Sequence, residues 1–319
     1  MRCLCCRRSI TEKATEYEKQ ICWHKRCVKS FFGTDTLPEL DLSKKKLESI
    51  ASATVNKKFT VPGVQKKMSL HLSKEPECKL TIVDYPTGYI LKPQTDDYPC
   101  LPEYEALAME MAKSCGIAIV PNALIKVGDQ YAYITKRIDR EIGSSLSLYA
   151  MEDFCQLSER LTADKYKGSY EACGKIIKKY SSRVGFDMTE LFLRIVFSFV
   201  IGNSDMHLKN FSLIEDTPGL RKYALSPAYD MLPVNVILPS DKEQMALTLN
   251  GKKKNIRKKD FYALSDNLGI NQKVAERIIE KVVSMKKEFF KECDSSYIGE
   301  EDKERVRALI EARIKIFSH

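Results

Sequence analysis

An apolar segment, Leu191 to Gly202, runs straight into Asn203-Ser204-Asp205-Met206-His207-Leu208-Lys209-Asn210 and then into the short extended piece Phe211-Ser212-Leu213. No other stretch constrains the fold as much. The apolar run is too short to cross a bilayer and contains Arg194, so Met188 to Val200 reads as a helix of a globular lobe. The loop that leaves it carries an aspartate and an asparagine five residues apart. Asp205 is suited to orient a hydroxyl nucleophile and take its proton, and Asn210 offers an oxygen to magnesium without crowding it. Asp230, after Ala228-Tyr229 and before Met231-Leu232-Pro233, sits at the end of the next short strand pattern and reads as a second metal ligand. The plainer alternative makes Asp205 a turn cap at the end of a helix and Asp230 a lone turn residue. Lys209 either neutralises charge on a transferring phosphoryl group or faces solvent. His207, isolated in the loop, reads as a structural hydrogen-bonder.

The periodicity on either side of this loop predicts an α+β protein of two lobes. Lys58 to Arg137 is mainly strand-like: Lys67–Leu72, Leu80–Val83, Gly88–Lys92, Ala118–Ile125 and Tyr131–Thr135 carry the patterns. One helix, Pro102 to Ser114, interrupts them, with acids in its first turn and Gly116 beyond its end. From Tyr149 onward the segments 149–161, 169–180, 188–200, 258–268, 271–293 and 299–316 read as helices. Asn210–Ile214 pairs with Tyr223–Leu225 as a short extended unit, and Met245–Leu249 suggests another. The expected domains are a Cys-rich head, residues 1–36, a strand-rich amino lobe, 37–136, and a helical carboxyl lobe, 137–319. A hinge falls near Thr135 to Asp139. This is the division expected of a kinase.

Lys92 ends a strand pattern, where it can reach nucleotide phosphates if a carboxylate orients it. Glu103 in the next helix is the natural partner and Glu105 the alternative; a surface salt bridge is the plain reading. Thr60-Val61-Pro62-Gly63-Val64-Gln65-Lys66-Lys67 is the candidate phosphate loop. It has a single glycine and matches neither standard phosphate-loop motif, but Gly63, Val64 and Gln65 can donate backbone N–H groups where Pro62 cannot.

Eleven cysteines, an odd number, are scattered apart from a cluster in the first 27 residues, which fits free thiols in a cytosolic, reducing compartment better than a disulfide framework. No signal peptide or membrane span is expected. Cys3, Cys6, His24 and Cys27 have the ligand types and pair spacings of a tetrahedral zinc site, and a knuckle of that size needs a metal because it cannot build a core. Cys5 and Cys22 compete as ligands. A free-thiol segment packed by Trp23, Phe31 and Phe32 is the other reading. The net charge of +9, with Lys252-Lys253-Lys254 and Arg257-Lys258-Lys259, would suit acidic partners or nucleic acid, though a solvated face explains it equally.

Taken together, Thr60–Lys67, Leu91-Lys92-Pro93, Pro102-Glu103-Tyr104, Thr135–Arg140, Glu152-Asp153-Phe154-Cys155-Gln156, Gly202–Leu213 and Ser226–Pro233 resemble the HipA family of serine/threonine kinases, the toxins of bacterial toxin–antitoxin pairs. The resemblance covers residues 55 to 315. It implies ATP and magnesium as cofactors, with Asp205 as catalytic base and Asn210 and Asp230 on magnesium. Lys92 contacts the phosphates, oriented by Glu103, and Gln156 shapes the catalytic cleft. Lys136, Arg137 and Ile138 line the adenine site, and His207 joins the nucleotide-binding set. Family members phosphorylate a serine of the phosphate loop in themselves; Thr60 holds that place here. The implied target is a translation protein such as an aminoacyl-tRNA synthetase, and the implied partner a DNA-binding antitoxin. The chain resembles a short form in which the family's amino-terminal subdomain is a separate small protein. The Cys-rich head departs from the family pattern. The competing expectation is a nucleic-acid-binding or regulatory module with a kinase-like fold and no activity.

Overall fold

The computed structural model describes residues 1–40, 67–73, 78–82, 88–142 and 146–318. Thr60, Gly63, Val64 and Gln65 of the expected phosphate loop lie outside them. The chain divides into two compact units: Met1–Glu103 with Pro121–Arg137, and Tyr104–Val120 with Ile138–His319. The architecture is the two-lobed one expected, strand-rich first and helical second, with a small Cys/His cluster near the amino terminus.

In the first unit, helices α1 (Glu16–Ile21) and α2 (Lys25–Phe32) precede β1 (Glu39–Leu40), β2 (Met68–Ser73), β3 (Lys79–Ile82) and β4 (Tyr89–Pro93). After helix α3 (Leu101–Ser114), most of which belongs to the second unit, the chain returns to the first with β5 (Asn122–Val127) and β6 (Gln130–Lys136). Thr15 and Glu18 open α1 with a reciprocal capping box. The strands form one sheet in the order β1-β3-β2-β4-β6-β5. Its register aligns Met68, Leu91, Ile134 and Ala123 in one buried row across four strands. The next row places Lys92 opposite Tyr133. Strand alternation therefore decides what lies beside Lys92.

Residues 1–36 share a core with this sheet. Trp23 is fully buried and packs with Phe31 and Phe32, which in turn pack on Tyr89 of β4. The Tyr89 hydroxyl donates to the Phe31 carbonyl at 3.2 Å, and Leu124 N–H donates to the Leu4 carbonyl at 3.0 Å. The latter contact satisfies a backbone group on an edge strand, which would otherwise be a pairing site.

The second unit contains β7 (Arg140–Ile142), β8 (Leu146–Leu148), β9 (Met151–Asp153), α4 (Phe154–Leu157), α5 (Tyr170–Tyr180) and α6 (Val184–Ile201). These are followed by β10 (Ser212–Glu215), β11 (Tyr223–Leu225), α7 (Val234–Ile237), α8 (Lys258–Asn267), α9 (Gln272–Ser284), α10 (Lys286–Asp294) and α11 (Glu300–Lys315). Helix α6 is apolar nearly all round because it is the centre of the unit. Its Phe197 packs edge-on against Phe289, and its Phe199 against Phe261 and Phe317. Buried Arg194 is matched within the helix by Glu190 at 2.9 Å. Among the described residues no helix is long and apolar enough to cross a membrane.

The structure departs from the periodicity in three places. Residues 149–161 were expected as one helix, but Met151–Asp153 form β9, paired antiparallel with β10, and only Phe154–Leu157 coil. Cross-strand pairing overrides the helical pattern there, and the Asp153–Gln156 capping box marks the boundary. The expected helix 271–293 breaks at Met285. Residues 245–249 make isolated bridges, Thr248 to Ser169 and Leu249 to Lys252, and form no strand of their own.

Candidate active site and metal centre

The loop after α6 starts from a glycine cap. Gly202 closes the helix at φ 74°, in the left-handed region. A Cβ there would also meet Leu309 Cδ2 at 2.3 Å. Asn203, fully buried, takes the Asp205 N–H on its side-chain oxygen at 3.3 Å. The Asp205 carbonyl accepts two donors: His207 N–H at 2.8 Å and Asn210 Nδ2 at 2.9 Å. The Tyr170 hydroxyl donates to the Met206 carbonyl at 3.1 Å, and Leu208 N–H donates to the Lys165 carbonyl at 3.2 Å. The loop is thus fixed through its backbone, which leaves side chains free to specialise.

Three of the expected residues come together in this unit. Asp205 is half-buried, and Asn210 is buried with its nitrogen turned onto the Asp205 carbonyl, so its oxygen is the end left for a cation. Asp230 is half-buried at φ 60°. Aspartate is one of the few side chains that tolerate that region, and strain of this kind concentrates at functional positions. Its predecessor ties it to the loop: the Tyr229 hydroxyl donates to the Lys209 carbonyl at 3.1 Å and receives the Ser212 hydroxyl at 2.5 Å. Burial raises the Tyr229 phenol well above the ordinary tyrosine range, which keeps it a donor.

Tyr166, which no sequence motif marks, faces Asp205. Its hydroxyl donates to Asp205 Oδ1 at 2.5 Å, and its ring meets His207 edge-on with centroids 5.0 Å apart. Although the residue as a whole is 36% exposed, desolvation of its hydroxyl, and then the Asp205 charge, hold this phenol above its usual range. Its only sequence signal was an aromatic in a polar loop. Lys209 ion-pairs with Asp153 at 2.7 Å. Gln156 is exposed, and its oxygen accepts the Asp153 N–H at 3.0 Å, so it braces the β9–α4 corner.

In the other unit Lys92 is 4% exposed, with its ammonium 5.4 Å from the Tyr133 ring centroid. Glu103 is buried, and its Oε2 accepts no hydrogen bond among the described residues. Burial alone pushes its carboxyl above the ordinary range. Glu105, a residue of the second unit, is fully buried. Lys136 turns toward the head: its ammonium donates to the Ser30 carbonyl at 3.4 Å and lies 5.6 Å from the Phe31 ring centroid. Arg137 N–H donates to the Gly88 carbonyl at 2.9 Å. Ile138 opens the second unit's longer segment.

Cys3, Cys6, His24 and Cys27 bring one ligand atom each to within 4.8 Å of one another. Sulfurs bound to one zinc ion sit about 3.8 Å apart, so a contraction of roughly 1 Å completes a tetrahedral site. The surroundings suit a metal. His24 N–H donates to the Cys3 sulfur at 3.4 Å. His24 Nε2 lies 3.3 Å from the Ser9 carbonyl; the proton on that nitrogen leaves Nδ1 to face the Cys6 sulfur at 3.3 Å. Without a cation the Cys3 thiol is pushed up to about 12, first by its hydrogen bond with Cys27 and then by burial. Cys22 drops out of the ligand set, since its sulfur faces Met1 and the Lys19 carbonyl.

Comparison with known proteins adds to this geometry. Residues 59–289, well over half the chain, match the HipA-like C-terminal domain family. A Sinorhizobium fredii protein named "Putative kinase Y4dM" is 35% identical over 190 residues, covering 55% of this chain and 45% of that protein. A Haemophilus influenzae protein, "Putative kinase", is 26% identical over 271 residues, covering 77% and 76%. The chain spans about half the length of the two Sinorhizobium relatives that it matches. Two solved structures share the fold. In the complex of Shewanella oneidensis HipA with HipB and operator DNA, the match has a TM-score of 0.68 at 18% identity, covering 81% of this chain and 64% of that one. For the Helicobacter pylori proinflammatory kinase CtkA the TM-score is 0.53 at 14% identity, covering 78% and 93%. A family match over residues 59–289, joined to an acid–amide–acid loop built on a buried helix, makes this chain a member of the HipA-like family.

Proposed function

We propose that the protein is an ATP- and magnesium-dependent serine/threonine kinase of the HipA type. The observation that carries this is the backbone-braced loop holding Asp205 and Asn210, with Asp230 tied to it through Tyr229. Asp205 accepts the proton of the attacking hydroxyl as its oxygen bonds to the γ-phosphorus and the bond to ADP breaks. Asn210, through its free oxygen, and Asp230 hold magnesium. Magnesium held there would neutralise charge on the transferring phosphoryl group. Lys92 binds the nucleotide phosphates, with a carboxylate of α3, Glu103 or Glu105, as its orienting partner. Gly63, Val64 and Gln65 cover the phosphates, Lys136 to Ile138 with His207 bound the nucleotide, and Gln156 supports the cleft from its capping box. Thr60 is the proposed acceptor in the chain itself.

The functional divisions are residues 1–36, a zinc knuckle; 37–136, the nucleotide lobe; and 137–319, the catalytic lobe. The external target is a serine or threonine of a translation protein such as an aminoacyl-tRNA synthetase in the cytoplasm. The partner is a DNA-binding antitoxin, in keeping with the Shewanella assembly.

Labelled ATP with magnesium, followed by mass spectrometry of the wild type, Asp205→Asn and Thr60→Ala, tests this reading. Phosphate on Thr60 or on an added protein, lost in Asp205→Asn with the fold intact, is the expected result. Full transfer by Asp205→Asn would remove the base assignment. A second reading, a nucleic-acid-binding or regulatory module with a kinase-like fold and no activity, rests on Arg257, Lys258, Lys259 and Lys315, which line a 470 Å³ pocket together with Gln244, Asn255, Ile256 and Ile316. Absent ATP turnover together with steeply salt-dependent nucleic-acid binding would select it.

A further inference from the structure

A catalytic carboxylate on a loop must present one oxygen to its acceptor. The backbone of Asp205 is fixed by Asn203, His207 and Asn210, but none of those bonds sets its side-chain torsions. Tyr166 supplies a fixed point, since its hydroxyl donates to Oδ1 at 2.5 Å. The segment that bears it is anchored on both sides. The Lys165 carbonyl takes Leu208 N–H at 3.2 Å, and the Gly168 carbonyl takes Thr248 N–H at 3.2 Å. The ring is backed by His207, a buried residue of the same loop, and the Lys165 ammonium lies 4.9 Å from its centroid. A side chain that merely filled the acceptor's place would have to leave at each turnover. These anchors belong to the scaffold and hold it there.

Resting on the kinase reading, we propose that Tyr166 is a positioning residue: by holding Oδ1 of Asp205 it turns Oδ2 toward the acceptor hydroxyl. A phenol donating to a charged carboxylate fixes its orientation with the strength of a charge-assisted bond. Phenylalanine keeps the ring contact with His207 and removes only that bond.

The test compares the full-length wild type, Tyr166→Phe, and a variant with 3-fluorotyrosine at 166, using magnesium-ATP with the chain itself and myelin basic protein as acceptors. Tyr166→Phe is expected to lower kcat about 10- to 100-fold. KM for ATP and the melting temperature should stay unchanged, and 3-fluorotyrosine, which keeps the hydroxyl, should restore turnover. A merely structural tyrosine would lower the melting temperature along with kcat, which would overturn the assignment. Unchanged or increased kcat in Tyr166→Phe would overturn it too, an increase marking Tyr166 as an obstruction, and in both cases the kinase reading stands. A wild type that transfers no phosphate to either acceptor and hydrolyses no ATP would remove the kinase reading, and this inference with it.

Discussion

Gly202→Ala should destabilise the helical unit without touching a reactive group. Two costs add. The residue sits at φ 74°, where a Cβ costs roughly 1–2 kcal/mol. The new methyl would also lie 2.3 Å from Leu309 Cδ2, well inside the ~3.5–4.0 Å of an ordinary carbon contact. Leu309 is half-buried on α11 and can shift, so this overpacking falls in the usual range of about 1–3 kcal/mol. Together they come to about 3 kcal/mol, or a fall of roughly 6–12 °C in melting temperature for a unit of this size. Far-ultraviolet circular dichroism follows the helices, while Trp23, the sole tryptophan, reports the other unit. Leu309→Ala separates the costs: in the alanine background it should cost clearly less than in the wild type, because it relieves the clash. A melting temperature within about 2 °C of wild type would refute the backbone argument, and additivity within about 0.5 kcal/mol would refute the clash.

Two further outcomes follow from the first unit. Purified protein should carry one zinc per chain by elemental analysis, resist weak chelators given the roughly 10–16 kcal/mol typical of structural zinc, and expose buried Trp23 to water when a strong chelator strips it; protein without zinc, or stripping that leaves Trp23 emission unmoved, would count against the site. Burial raises the Glu103 carboxyl, so the folded state holds that proton more tightly than the unfolded chain and stability falls as pH rises from about 4.3 through the raised value. Glu103→Gln should therefore melt higher than wild type at neutral pH and match it in acid; a loss of stability at neutral pH would mean that a cation accompanies the carboxylate.

The halves of this fold were legible to different depths. Alternation exposed the strands around Leu91 and Ile134, and periodicity exposed α6, because each pattern there matches a single burial environment. Residues 149–161 misled, since β9 is held by pairing with β10, sixty residues away, and no local pattern encodes a distant partner. Residue type and spacing singled out Cys3, Cys6, His24 and Cys27, which the structure brings within 4.8 Å of one another, and placed Asp205 and Asn210 on one loop, because such chemistry restricts which side chains serve. Tyr166 stayed hidden, as a hydroxyl on a carboxylate leaves no periodic trace. The left-handed backbone of Asp230 was equally invisible, since aspartate is common in turns of every kind. In the head, the packing of Trp23 with Phe31 and Phe32 follows from their sequence neighbourhood, but their contact with Tyr89 does not, since a list of ligands and aromatics names no distant partner.

Why the loop carries Asp at 205 and Asn at 210 follows from the hydrogen bonds. Position 210 must donate to the Asp205 carbonyl, since that bond closes the loop at 2.9 Å. An ionised carboxylate at 210 has no proton to give and would set its charge against the carbonyl dipole in a buried site. An amide meets both demands: its nitrogen holds the backbone while its oxygen remains for a cation. Position 205 has the opposite requirement. Its backbone holds the loop, and its side chain receives the Tyr166 hydroxyl. A carboxylate suits that bond because it only accepts. Under the proposed kinase reading, Asp205→Asn should therefore silence phosphate transfer and leave the fold, because the bonds that shape the loop run through the backbone of 205 and the side chain of 210.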